Sequence, residues 1–108
     1  MSTRTKPLIQ SSLSVESYRH EIETDTDQTG NVINYAFTDG IEPSSWTAGS
    51  WGSTWNATTK KATGVTPTVG GTGSGADVEL ADGTYDCWVQ ILGVNEQPVR
   101  RFDRLVIT

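Results

Sequence analysis

Leu80-Ala-Asp-Gly-Thr-Tyr-Asp-Cys-Trp-Val-Gln-Ile-Leu92 is the stretch that decides the fold. Asp82-Gly83 supplies turn chemistry, because Gly accepts positive φ without steric cost and Asp can hydrogen-bond its own backbone two residues on. A strand is expected to start there. From Tyr85 the side chains alternate, with Tyr85, Cys87, Val89 and Ile91 on one face and Asp86, Trp88, Gln90 and Leu92 on the other. The first face is expected to be core and the second half-exposed around Trp88.

The rest of the composition agrees with strands. Of 108 residues only 34% are apolar, and Gly, Ser and Thr are abundant, which favours short strands and loops in one all-β domain. Tyr85, two residues before Cys87 and just after an acidic turn, resembles the start of strand F in immunoglobulin domains, where the Tyr makes a corner hydrogen bond. That resemblance implies an Ig-like antiparallel β-sandwich. Cys87 is the only cysteine, so the sandwich would lack a disulfide, and Cys87 is expected to act as a small buried hydrophobe. His20 is the only histidine, and no Cys-His pair for nucleophilic chemistry is legible.

The net charge of -5 argues against a nucleic-acid surface, which needs a basic patch. Arg100, Arg101 and Arg104 cluster around Asp103, a pattern expected of a solvated strand edge. No apolar run reaches the ~20 residues that span a bilayer, and the first residues lack the apolar centre of a signal peptide. The expectation is synthesis in a cytoplasm, without membrane contact or export by that route. Asn56-Ala57-Thr58 fits a glycosylation acceptor but carries little weight without a secretion signal.

Residues 1–12 contain Arg4 and Lys6, no acid, and a Pro that disfavours helix; they are read as an extended arm before a domain spanning 13–108. Leu8 and Ile9 are its candidate anchors on a partner. Tyr18, His20 and Ile22 alternate with Arg19, Glu21 and Glu23 as a first, edge-type strand; Val15, Tyr18 and Ile22 also fit helical spacing, but Tyr and Ile favour strand. Asp25-Thr-Asp-Gln-Thr-Gly30 looks like the front half of a calcium loop, but Ala36 stands where the bidentate Glu should be, so a solvated loop is expected. Val32 to Thr38 is a second strand, with Ile33, Tyr35 and Phe37 on one face.

Three of the four Trp residues, Trp46, Trp51 and Trp55, then fall within ten positions. Such a cluster can plug a core, anchor an interface or stack on sugars, and at least one Trp is expected in the core. Pro67 assigns 62–69 to an edge strand or an extended connection. Gly70-Gly-Thr-Gly-Ser-Gly75 lacks the Lys and the helix of a phosphate loop and is expected to be a flexible surface loop. Val99 to Thr108 is the last strand.

Taken in order, Asn34-Tyr-Ala-Phe37, Pro43 to Trp46, Ser50-Trp51, Gly83-Thr-Tyr85 with Trp88-Val89, and Glu96-Gln-Pro-Val-Arg100 resemble small proteins encoded among the head and head-to-tail genes of tailed bacteriophages, especially those of actinobacteria. The resemblance covers about 21–108. It implies a multi-copy, non-enzymatic virion component, located in the virion after synthesis in the bacterial cytoplasm. Its partners would be capsid, neck or tail subunits, or further copies of itself, with no cofactor, metal or catalytic residue. The competing reading is a carbohydrate-binding module using Trp46, Trp51 and Trp55 as a platform. An enzyme is the weakest reading, since no pair of carboxylates such as Asp82 and Asp86 is shown to face a common cleft.

Overall fold

The computed structural model describes residues 7–93 and 99–108, and all of its regular structure is β. The strands are β1 (Leu8–Gln10), β2 (Val15–Glu16), β3 (Arg19–Glu23), β4 (Ile33–Thr38), β5 (Thr47–Ala48), β6 (Ser50–Trp51), β7 (Lys61–Val65), β8 (Val69–Gly71), β9 (Val78–Leu80), β10 (Gly83–Ile91) and β11 (Val99–Ile107). They form a five-stranded sheet, β1-β11-β10-β4-β5, and two three-stranded sheets, β2-β8-β9 and β3-β7-β6. The arrangement is sandwich-like. Residues of β4 and β10 pack with Ile22 of β3 and Trp51 of β6, while β10 and β11 pack with Val69 of β8.

Strand β10 sits where its alternation puts it, paired antiparallel to β4 on one side and β11 on the other. Cys87, Val89 and Ile91 are buried, and Tyr85 is half-buried on the same face. Between Cys87 and Trp88 the pairing to β11 jumps from Asp103 to Arg101, leaving Phe102 as the extra residue of a β-bulge. Phe102 packs against both halves of the core and stacks on His20 with ring centroids 3.9 Å apart.

The centre of the core is a tyrosine. Tyr35 is fully buried, and its hydroxyl lies 2.7 Å from His20 Nε2. Two glycines make room for it: a Cβ at Gly49 or at Gly64 would overlap the Tyr35 side chain. Gly49 is also where the chain leaves the five-stranded sheet at β5 and enters the β3-β7-β6 sheet at β6. A side chain there would collide with the core the crossing wraps.

The structure corrects the arm expected at residues 1–12. Residues 1–6, with Arg4 and Lys6, lie outside the described residues, but Leu8–Gln10 is a strand of the body, parallel to β11 with Leu8 opposite Leu105 and Gln10 opposite Ile107. Leu8 packs into the core half built on Val69, Cys87, Leu105 and Ile107, so it is engaged within its own chain; Ile9 points outward and is 73% exposed. Sequence reasoning missed this because three residues are too short to show a period.

Gln10 explains why β1 holds. It is buried, and its amide donates to Val69 O at 2.7 Å and Ser14 O at 3.1 Å while its carbonyl accepts from Tyr18 Oη at 2.5 Å. Gln10→Ala strands a buried carbonyl and a tyrosine hydroxyl, so it is expected to cost about 2–3 kcal/mol, read as a lowered urea midpoint. A chain beginning at Leu13, which the arm reading expects to melt like the full chain, should for the same reason melt lower.

Strand β7 is also better placed than expected. It is central in its sheet, and Pro67 lies just past it in the link to β8, where its missing N–H interrupts no ladder.

Candidate functional site

Cys87 is buried against the inner face of β10. Burial, with Asp103 and Asp86 adding to it, pushes its thiol well above the ordinary range, the opposite of what a nucleophile needs. In the folded protein it should react with a bulky maleimide many-fold more slowly than in denaturant; immediate native labelling would overturn the assigned β10 register.

Tyr85 makes the corner bond expected of it, its hydroxyl donating to Ala81 O at 2.7 Å. The bond ties the start of β10 to the turn before it.

The Gly-rich stretch differs from the surface loop expected. Gly70 and Gly71 belong to β8 and are buried, and a Cβ on either would strike Ser74 or the backbone of Ser12 and Ser14. Gly73 and Gly75 adopt positive φ and turn their N–H groups onto the Glu79 carboxylate, at 2.8 and 3.2 Å. This is the backbone geometry of an anion nest, and its anion is the chain's own.

In the acidic loop, Asp27 Oδ1 accepts from Thr29 N and Thr29 Oγ1 at 2.9 and 2.6 Å, bonds that lower its pKa. Among the described residues no group of three or more His, Cys, Asp or Glu is placed to hold a metal. Likewise, no helix among them is long and apolar enough to cross a membrane.

The three clustered Trp residues go to different duties. Trp51 is half-buried, packs against the core around Tyr35 and donates its indole N–H to Asn31 O at 2.9 Å. Trp55 is half-buried beneath Lys60, whose Nζ lies 5.7 Å from the ring centroid. Trp46 is half-buried just before β5 and belongs to neither core cluster. None is fully buried, and among the described residues no ring contact joins any two of them. The core position expected of a Trp is held by Tyr35.

The fourth, Trp88, lies on the outer face of the five-stranded sheet, where it donates to Thr38 Oγ1 at 2.8 Å and lies between Ala36 and Arg101 in the ladder. Beside it Asp86 Oδ1 is 3.4 Å from Arg101 Nη1 and 3.9 Å from Arg104 Nε. The arginine cluster is therefore partly tied down by an acid on the neighbouring strand, as a solvated sheet face requires.

His20 is the residue whose setting the sequence left unread. The ring is half-buried, and its partners are Tyr35 and Phe102, which come from β4 and β11. Among the described residues Nδ1 has no partner in hydrogen-bond geometry. Burial lowers the imidazole pKa to about 4, the nearby Glu21 backbone offsetting this only in part. The half-buried ring is neutral at pH 7.

Comparison with family models, with characterised proteins and with solved structures found no match to this chain.

Proposed function

We propose that the chain is an Ig-like β-sandwich that serves as a non-enzymatic structural component of a tailed-phage virion, docked in many copies on the capsid or head-to-tail surface. The Ig-like reading draws support from strand order: β3, β7 and β6 lie opposite β11, β10, β4 and β5, β1 runs parallel to the last strand, and Tyr85 closes the corner before β10.

The observation that carries the functional reading is what the side chains capable of chemistry are doing. Cys87, His20 and Glu79 are each committed to holding the fold, and the motif residues Tyr35, Trp51 and Tyr85 all have structural duties. With its lone cysteine and lone histidine spent internally, the chain fits a role defined by surface and copy number. Within that role Arg4 and Lys6 guide approach to an acidic neighbour, and Ile9, exposed on β1, is the anchor that remains once Leu8 is engaged by its own core. The sugar-platform reading of Trp46, Trp51 and Trp55 draws less support, because Trp51 is spent on the core and on Asn31.

Quantitative mass spectrometry of purified particles tests the proposal. The chain should be present at a fixed ratio to the major capsid protein, with hundreds of copies pointing to head or tail tube and about a dozen to the neck. Its absence from particles, or capture on a polysaccharide column at micromolar affinity, would overturn it.

A further inference from the structure

A groove of about 180 Å³ lies between the end of β4, the 39–46 loop and β9. That is below the ~300–1,000 Å³ of small-molecule sites and suits one long side chain. Phe37 and Ile41 give it apolar walls, Ser44, Ser45 and Thr47 give hydroxyls, and Glu42 gives a carboxylate. No basic residue lines it. An aromatic wall beside a carboxylate is what a guanidinium recognises, since its flat face stacks and its forked donors pair with the acid.

Both lips are open: Ile41 is 69% exposed, and Glu42 is exposed with no ion pair among the described residues. Asp39 and Asp82 lie close enough to act together on Tyr85, so this end of the sheet is acidic. The opposite charge sits across the sheet on β11, where Arg100, Arg101 and Arg104 are exposed. Arg101 and Arg104 share Asp86, whereas Arg100 makes no ion pair among the described residues. It lies on the part of β11 beyond β1, which pairs only with Leu105–Ile107.

We infer that Arg100 of one copy seats in the groove of a second copy, against Glu42, so that copies join head to tail. The giving and receiving surfaces are different, so the contact is heterologous and each added copy presents a fresh groove. The inference deepens the multi-copy reading above. It is tested on the isolated protein, so its failure is distinguishable from failure to enter particles.

Sedimentation velocity of the full chain reads the association directly. At about 20 mM salt species larger than a dimer should form, and about 500 mM salt should weaken them at least about tenfold. Arg100→Glu and Glu42→Arg should each weaken association by at least about tenfold at low salt, and the double reversal should restore it. Both positions are exposed, so melting temperatures should match wild type and the loss cannot be laid to unfolding. A wild-type monomer at every concentration, indifference to either reversal, or a double variant that stays apart would each overturn the contact. Arg4→Glu with Lys6→Glu is the comparison arm: unchanged association supports Arg100, whereas loss there with Arg100→Glu silent gives the groove to the N-terminal segment and overturns the proposal.

Discussion

Gly64→Ala is expected to lower the unfolding free energy by about 3 kcal/mol, a large share of the stability of a domain this size. The added Cβ would overlap Tyr35 Oη and lie 2.8 Å from Ile22 Cδ1 and 3.0 Å from His20 Nε2. None of these is the free end of an exposed side chain. Tyr35 and Ile22 are buried, and His20 is held between Tyr35 and Phe102. The clash can be relieved only by moving β4 and β7 apart or by breaking the His20–Tyr35 bond.

A double-mutant cycle separates that cause from a generic dislike of Ala in a strand. Tyr35→Phe alone should cost about 1–2 kcal/mol, since it leaves a buried imidazole nitrogen without its partner. It also removes the closest clashing atom, so Gly64→Ala should cost at least about 1 kcal/mol less in the Tyr35→Phe background than in wild type. Additive costs in urea titrations would show that the Tyr35 hydroxyl does not set the limit.

Acid is expected to destabilise the protein through His20 before its carboxylates titrate. The folded-state pKa of about 4 lies below the ordinary 6.5, so the unfolded chain takes the proton first as pH falls. The contribution is complete above 6.5 and is lost progressively down to about 4. Full conversion of that shift would give about 3 kcal/mol, and the half-buried ring reduces it to about 2 kcal/mol. The window between pH ~6.5 and ~5 isolates the histidine, because carboxylates protonate lower. His20→Asn should flatten the stability profile there while wild type falls; parallel profiles for the two proteins would remove His20 as the cause.

Sheet content and the β10 register were legible because the alternation from Tyr85 to Leu92 after an Asp-Gly turn allows one orientation only. The Cys87 environment followed from the same alternation. Other features were not legible, each for a physical reason. Tyr35 occupies the core position expected of a Trp because the choice depends on two glycines, Gly49 and Gly64, that are far from it in sequence. The Gly70–Gly75 stretch read as flexible because neither the close approach of Ser12 to Gly71 nor the capture of Gly73 and Gly75 by Glu79 has a local signature. The partners of His20 were not legible because they arrive from β4 and β11. The groove beside Glu42 arises from the 39–46 loop folding against β9, a tertiary juxtaposition with no trace in either segment.

The parallel pairing of β1 with β11 also fixes how the domain answers a pull. Both strands run the same way, so tension applied between the ends of the chain slides them past one another along their length. The hydrogen bonds between them, together with Ser12 N to Thr108 O and Thr108 N to Gln10 O, are then loaded at once in shear and cannot be unzipped one by one. The side chain of Gln10, tied across to Val69 and Tyr18, locks that slide as a latch. A domain with this pairing stays short under tension until one concerted rupture.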